Sequence, residues 1–186
     1  SPWVWRITSL ALPDGSRELV ASTGKGFARL RGERWERWDP VPGLGEGQRG
    51  PIQWVKENGG WCLWFCAWGR GLVRWDGHKA TIFNPDGGFP SFYPTSLASA
   101  PESGGGTVLW AGTYDKGLLR FQDGKWHTVS QGKDTAASGV YDLWVPPQGK
   151  PTLWIALRDG GVGRLDMGAW RTLDRESGLP NEEVAC

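Results

Sequence analysis

The stretch that decides the fold is TVLWAGTYDKGLLRFQDGKWHTV, residues Thr107 to Val129. Its apolar, β-favouring run LWAGT ends at a tight turn before Gly117, and a second short run follows. Asp123-Gly124 then supplies the dipeptide that best suits a two-residue hairpin, because such a turn needs positive φ angles. The stretch therefore predicts three short antiparallel strands. One such meander cannot bury its faces alone, so we expect the pattern to recur.

The pattern recurs four times along the chain. Each copy has an anchor glycine at the start of its third strand, and successive anchors are 45, 46 and 44 residues apart: Gly26, Gly71, Gly117 and Gly161. An arginine stands three positions after each anchor: Arg29, Arg74, Arg120 and Arg164. A large apolar residue stands seven positions before it: Leu19, Trp64, Trp110 and Trp154. Nine positions after it stand Trp35, Ala80, Trp126 and Trp170, of which Ala80 is the exception.

Four-stranded antiparallel units at this period are typical of β-propeller blades. The sequence therefore predicts an all-β chain, a single β-propeller segment of four four-stranded antiparallel blades with the start of a fifth. The predicted blades span residues 1–51, 52–94, 95–139 and 140–180, and residues 181–186 begin the next one. The repeated arginine is interpreted as structural, with its stem packed across a tryptophan. Because the chain starts at Ser1 without methionine and ends as a strand begins, we expect it to be part of a longer protein.

Composition narrows the possible partners. The chain has 186 residues, of which 39% are hydrophobic, so it is long enough to bury a sizeable core. The formal net charge is +1, and the 21 basic and 20 acidic residues are spread along the sequence. Nucleic acid and anionic membranes need a clustered basic surface, so neither is predicted as a partner. No apolar run reaches the roughly 18 residues of a membrane span, and no signal peptide is present.

The cysteines and histidines predict neither a disulfide nor a metal site. Cys62 and Cys66 are four residues apart on a predicted strand, roughly 13 Å along it, which exceeds the reach of a disulfide. Their spacing is not a zinc-ligand pattern, and the only histidines are His78 and His127. We expect two buried free thiols and assign no role to Cys186. No GxSxG, HExxH, P-loop or GxGxxG motif suits its setting, so no catalytic residue, metal or cofactor is predicted.

The chain resembles a known family along its whole length, most fully in the third and fourth units and least before Ile52. LWAGTYDKGLLRFQDGKW (Leu109–Trp126) and LWIALRDGGVGRLDMGAW (Leu153–Trp170) resemble the two-component regulator propeller repeat. The connectors SGLPNEEV (Ser177–Val184) and DGGFPS (Asp86–Ser91) are similar to the linker of that family. The first unit departs from the pattern, since LVAS (Leu19–Ser22) stands where the family has LWIG.

The resemblance implies a bacterial signal-transduction protein. Proteins with such repeats carry a periplasmic or extracellular propeller module. An immunoglobulin-like domain, a membrane helix and a cytoplasmic histidine kinase or diguanylate cyclase follow it. The expected function of this chain is therefore non-catalytic ligand sensing on the periplasmic or extracellular side of the membrane, with no direct membrane contact by this segment.

The candidate ligand site consists of residues that vary within the repeated frame. In a propeller, the turns between the second and third strands lie on the same rim as the connectors between blades. The turns supply Trp68, Arg70, Tyr114, Lys116 and Arg158, and the second connector supplies Phe89, Phe92 and Tyr93. Aromatic side chains offer stacking area and cations offer directed hydrogen bonds, a combination that suits a glycan or small metabolite. The binding residues named for this site are Trp68, Arg70, Tyr93, Tyr114, Lys116 and Arg158.

Two other functions stay open, a lyase or hydrolase that uses the propeller face and a purely structural or protein-interaction scaffold. The blade count leaves a further question. Four blades either close on themselves or form an open arc whose first and last sheets expose apolar faces. We expect self-association through these end blades in preference to closure.

Overall fold

The computed structural model of this chain describes residues 3–42, 44, 48–57, 60–101, 107–129, 139–147, 152–166, 168–181 and 184. Nearly all of the regular structure in these ranges is β, and one short 3₁₀ turn spans Pro85–Gly87. The strands form four separate sheets. Every sheet contains four strands that pair antiparallel with their neighbours in sequence order. The predicted all-β class and the four four-stranded blades are confirmed.

The strands have the following bounds. Blade 1 contains β1 Val4–Ala11, β2 Arg17–Thr23, β3 Gly26–Arg31 and β4 Arg34–Trp38. Blade 2 contains β5 Gln48–Glu57, β6 Gly60–Ala67, β7 Gly71–Trp75 and β8 Ala80–Phe83. Blade 3 contains β9 Pro94–Pro101, β10 Thr107–Thr113, β11 Gly117–Gln122 and β12 Lys125–Thr128. Blade 4 contains β13 Val140–Trp144, β14 Thr152–Leu157, β15 Val162–Asp166 and β16 Ala169–Leu173.

The chain divides into two compact units. Unit 1 is Ser1–Pro94 and holds blades 1 and 2, and unit 2 is Thr95–Cys186 and holds blades 3 and 4. The division falls at the predicted boundary between the second and third blades. The predicted start of a fifth blade, including Cys186, lies mostly outside the described residues.

The anchor glycine is required where the third strand begins. Gly71 has a φ of 108° and Gly161 a φ of 72°, conformations that L side chains rarely adopt. A Cβ atom at Gly71 would lie 2.0 Å from the carbonyl oxygen of Phe83, and one at Gly161 would lie 2.3 Å from that of Leu173. Phe83 and Leu173 end the fourth strands of their blades. The third strand therefore starts against the end of the fourth, at a distance that only glycine permits.

The repeated arginine sits opposite the repeated tryptophan in three blades, in the pairs Trp64–Arg74, Trp110–Arg120 and Trp154–Arg164. Blade 1 differs because its hairpin turn is one residue shorter, so that Thr23 pairs directly with Gly26. Val20 is consequently the partner of Arg29, and Leu19 lies on the other face of the sheet. The expected correspondence of Leu19 with the tryptophans is wrong for this reason.

The contacts of the arginine agree with a structural role. The Arg164 guanidinium lies 5.4 Å from the ring centre of Trp154. Arg74 donates hydrogen bonds from Nε and Nη2 to one carboxylate oxygen of Glu57, at 3.0 and 2.7 Å. Trp64 Nε1 donates to the other oxygen of that carboxylate at 2.7 Å. The half-buried ion pair and the tryptophan thus form one network within blade 2, which satisfies the charges away from bulk water.

Each blade has two chemically different faces. We call the face that carries the residue nine positions after the anchor glycine the front face, and the face that carries the repeated arginine the back face. In unit 1 the back face of blade 1 packs on the front face of blade 2. Phe27 contacts Phe65 edge-on across this core, with ring centres 5.2 Å apart. The buried members of the core are Leu10, Val20, Phe27, Val41, Ile52, Leu63, Phe65, Ala67 and Val73.

Unit 2 repeats this arrangement. Leu118 from the back face of blade 3 packs with Leu143, Leu153 and Ile155 from the front face of blade 4. A Cβ atom at Gly112 would lie 2.5 Å from Cγ1 of Val140, so glycine lets the two sheets approach closely here. Both units are therefore built by one rule, back face on front face.

The anchor glycine gives the first testable prediction. Gly71→Ala should destabilise the protein by roughly 2–4 kcal/mol, because the new methyl group meets the Phe83 carbonyl and the residue keeps an unfavourable φ. The matched control is Gly77→Ala in the next hairpin of the same blade. Gly77 also has a positive φ, 97°, but nothing lies within 4 Å of an added Cβ. The control should cost only about 1–2 kcal/mol. Urea unfolding followed by tryptophan fluorescence measures both, and equal losses would contradict the steric explanation.

The carboxylate of Asp76 gives a prediction about pH. The backbone N–H groups of Lys79 and His78 donate to Oδ1 of Asp76 at 2.8 and 2.9 Å, which lowers the pKa of this carboxyl below its usual 3.8. A lowered folded-state pKa stabilises the fold above the unfolded pKa, and this contribution disappears as the pH falls through the folded value. The stability of the wild type should therefore fall more steeply than that of Asp76→Asn from about pH 5 to about pH 3. Parallel slopes in urea titrations would refute this role for Asp76.

Candidate ligand-binding site

The turn between β6 and β7 forms the first group of exposed aromatic and cationic side chains. We call Trp68, Arg70, Phe92 and Tyr93 the Trp68 cluster. The rings of Trp68 and Tyr93 are in contact, with centres 5.1 Å apart and planes inclined by 54°. Trp68 is half-buried, whereas Arg70, Phe92 and Tyr93 are exposed. The structure thus brings together two of the predicted residues, Trp68 and Tyr93, and places Arg70 in the same turn.

Backbone hydrogen bonds hold the two segments of the Trp68 cluster together. The N–H of Gly69 donates to the carbonyl of Phe92 at 2.8 Å, and the N–H of Tyr93 donates to Oγ of Ser91 at 2.9 Å. The guanidinium of Arg70 donates to the carbonyl of Leu44. Because these bonds are made within the protein, the aromatic pair is held in place without a ligand.

Phe89 does not belong to this surface. Its side chain is fully buried, although the sequence places it beside Phe92 and Tyr93 on the rim. The 3₁₀ turn explains the difference, because it directs the N–H of Phe89 back to the carbonyl of Asn84 at 2.9 Å. Phe89 therefore anchors the connector and leaves Phe92 and Tyr93 at the surface.

The second group lies in unit 2, and we call Tyr114, Lys116, Arg158 and Asp159 the Tyr114 cluster. The Arg158 guanidinium lies over the Tyr114 ring, 4.9 Å from its centre. Nη1 of Arg158 donates to the carbonyl of Tyr114 at 3.0 Å, and Nε donates to Oδ2 of Asp159 at 2.9 Å. Tyr114 and Arg158 each stand three residues before an anchor glycine, so equivalent positions of consecutive blades meet here.

Lys116 is held in the same turn by its backbone. Oγ1 of Thr113 accepts a hydrogen bond from the N–H of Lys116 at 2.9 Å and donates one to the carbonyl of Gly117 at 2.8 Å. The side chain of Lys116 is exposed. The hydrogen bond to Asp159 raises the pKa of Arg158 above its already high value, so this cation is permanent. The cluster therefore offers an oriented cation on an aromatic ring, with a second cation in the neighbouring turn.

The sequence reasoning missed two features. Asp159 orients Arg158, and the adjacency of the two residues along the chain is the signal for this pair. The second feature is an open cleft of about 210 Å³ on the back face of blade 4, lined by Asp142, Leu143, Trp144, Trp154, Ile155, Ala156 and Val162. The alternation of side chains along β13 and β14 places Trp144 and Trp154 on one face, which is the signal for this cleft.

The thiols offer no nucleophile. Cys62 and Cys66 are both free and buried, as predicted. Burial, together with the nearby Glu57 carboxylate, raises the pKa of Cys62 to about 11, so the reactive thiolate is scarce at neutral pH. Within the described ranges, no three His, Cys, Asp or Glu side chains are grouped so as to hold a metal ion. The same ranges contain no helix with the length and apolar character to cross a membrane.

Comparison of the sequence with known proteins identifies no related protein. No protein-family model matches the chain. No curated protein matches it either.

Solved structures do match the fold. Two structures of the extracellular domain of BT4673 from B. thetaiotaomicron align with TM-scores of 0.65 and 0.63 at 18% identity. One describes that protein as a one-component system and the other as a hybrid two-component system. They cover 92% and 91% of this chain, but this chain spans only 22% of either domain. PorZ, a surface component of the type-IX secretion system of Porphyromonas gingivalis, aligns over 96% of this chain and 28% of its own, with a TM-score of 0.51 and 12% identity.

At these identities the likeness concerns the fold. BBS1N, solved in complex with ARL6DN, aligns comparably over 92% of this chain and 57% of its own, at a TM-score of 0.58 and 14% identity. Proteins with unrelated described roles therefore share this arrangement of sheets. The chain has a β-propeller-like fold of repeated blades, and it is similar to extracellular domains of bacterial sensory systems.

Proposed function

We propose that this chain is a non-catalytic, ligand-sensing segment of a bacterial signal-transduction protein, exposed on the periplasmic or extracellular side of the membrane. A glycan or a small metabolite is the proposed ligand, and each unit offers a candidate site, formed by Trp68, Arg70 and Tyr93 in unit 1 and by Tyr114, Lys116 and Arg158 in unit 2. The observation that carries the proposal is the contact between the half-buried Trp68 ring and the exposed Tyr93 ring, whose two segments are joined by a backbone hydrogen bond.

The chemistry of the Trp68 cluster suits a sugar. Sugar rings present apolar C–H faces that stack on aromatic rings, while their hydroxyl groups need directed donors and acceptors. Phe92 and Tyr93 are exposed beside Trp68, and Arg70 supplies N–H donors in the same turn. Since the rings are already positioned, binding loses little conformational entropy in the protein.

The Tyr114 cluster, taken by itself, suits an anionic ligand. Tyr114 and Asp159 orient Arg158. Lys116 is exposed in the equivalent turn of blade 3. A guanidinium fixed in this way recognises carboxylate or phosphate oxygens in a defined geometry. We therefore expect an acidic sugar or another anionic metabolite to bind more tightly than its neutral analogue.

The similarity to extracellular domains of BT4673 supports the cellular context of the proposal, a sensor outside the cytoplasm. The buried thiol of Cys62 is held protonated, so this side chain is not an activated nucleophile. Turnover of a bound compound would instead favour the lyase or hydrolase alternative.

A titration tests the binding role. Neutral and acidic oligosaccharides are added to the protein while its thermal unfolding is followed by tryptophan fluorescence. A ligand at about 100 times its Kd should stabilise the protein by about 2.7 kcal/mol. Trp68→Ala and Tyr93→Ala should each weaken binding about tenfold, the loss expected for one stacking contact of about 1.4 kcal/mol.

The matched control is Trp61→Ala. Trp61 is also an exposed tryptophan, but it lies at the opposite end of β6 from Trp68, roughly 20 Å away along the strand. Its replacement should leave the affinity unchanged. If Trp61→Ala weakens binding as much as Trp68→Ala, the rim is not the site. If no compound stabilises the protein, the scaffold alternative replaces the sensor.

A further inference from the structure

The packing within each unit shows what a blade face of this protein binds. In unit 1 the back face of blade 1 covers the front face of blade 2, and in unit 2 the back face of blade 3 covers the front face of blade 4. The same partners therefore meet twice in one chain. In each unit, a front face is therefore covered by the back face of the neighbouring blade.

The front face of blade 1 carries large apolar side chains that are exposed. Ile7, Leu19 and Trp35 lie on it and are 59%, 42% and 46% exposed. Their equivalents can be identified from the strand pairing, because Ile7 opposes Ala21 as Leu143 opposes Ile155. Leu143 in blade 4 is only 5% exposed. The residues of the first front face are thus of the type that the repeat buries elsewhere.

The back face of blade 4 is the complementary open surface. Trp144 is 56% exposed, and its cross-strand partner Trp154 is half-buried. Both line the cleft of about 210 Å³. The equivalent tryptophan of blade 2, Trp64, is fully buried, and that of blade 3, Trp110, packs against the core of unit 2. In blade 3, whose back face is covered within its own unit, the tryptophan at this position is therefore an interface residue.

We propose that the front face of blade 1 of one copy of this chain packs on the back face of blade 4 of a second copy. Ile7, Leu19 and Trp35 enter the surface formed by Trp144 and Trp154, as Leu143 and Leu153 meet the back face of blade 3 within unit 2. The two surfaces differ, so the contact is head-to-tail, and a pair of copies keeps one free front face and one free back face. This assembly does not depend on the ligand site.

The chemistry of the repeated faces indicates which surface covers the front face of blade 1. Apolar side chains of this size, exposed together on a flat sheet, favour burial against another protein surface. Within the chain, front faces of this composition pack on back faces in both units, so the back face of blade 4 in a second copy offers a partner of known fit.

Sedimentation velocity over a concentration series tests the proposal with two blocked variants. Ile7→Lys places a charge on the front face of blade 1, and Trp144→Glu places one on the back face of blade 4. Both positions are more than half exposed, so the fold should survive, which the unfolding midpoint checks. The wild type should associate, and each variant alone should do so at least tenfold more weakly.

Mixing the two variants distinguishes a head-to-tail contact from other modes. The Ile7→Lys protein keeps its back face and the Trp144→Glu protein keeps its front face, so the mixture should form a one-to-one dimer that grows no further. The control Ile82→Lys changes an apolar residue of blade 2 that is 40% exposed, and it should associate as the wild type does. A wild type that stays monomeric at every concentration overturns the proposal. So does a mixture that stays monomeric, or a blocked variant that associates normally.

Discussion

Blades 2 and 4 each depend on a contact between the start of the third strand and the end of the fourth. A Cβ atom at Gly71 would lie 2.0 Å from the Phe83 carbonyl oxygen, and at Gly161 2.3 Å from that of Leu173. No side chain fits there, and the positive φ of both residues is unfavourable for any other amino acid. The glycine therefore fixes where the third strand begins relative to both neighbours. Because side chains alternate along a strand, that register decides which residues share a face, and the division into front and back faces follows from it.

The sequence predicts the start of the third strand well because the requirement for glycine there is local. A positive φ beside a carbonyl selects glycine, and the spacing of four such glycines gives the blades. The register of blade 1 could not be predicted in the same way. Its turn is one residue shorter, which leaves every spacing after Gly26 unchanged and shifts those before it. Leu19 and Val20 are both apolar, so hydrophobicity does not show which of them faces Arg29. Only the pairing of the strands distinguishes them.

The candidate site likewise has a part that could be predicted from the sequence and a part that could not. Turn positions could be predicted, so Trp68 and Tyr114 lie where the repeat puts them. The connector could not, because Phe89 and Phe92 are alike in sequence, and a 3₁₀ turn buries one and exposes the other. Ala80 shows a further limit. It interrupts the row of tryptophans, yet its cross-strand partner is Trp75, whereas Trp170 opposes Leu165. In blade 2 the tryptophan therefore lies on β7 and the small residue on β8, whereas in blade 4 the tryptophan lies on the fourth strand. A pattern that compares one position at a time does not show such an exchange.

Charged residues also affect how the front face of blade 1 and the back face of blade 4 can pack on other surfaces. Arg37 lies on the front face of blade 1, and Arg164 and Arg171 lie on the back face of blade 4. The same back face carries Asp142 and Asp166, and Asp166 is paired with Nε of Arg164 at 2.8 Å. The cations are therefore partly compensated, and the apolar contact opposes only a weak repulsion that salt screens. The guanidinium of Arg164 already lies over the Trp154 ring and shields part of it from water. The arginine that lies over Trp154 thus limits indiscriminate stacking at this exposed face, while a matched apolar surface can still displace the water that remains.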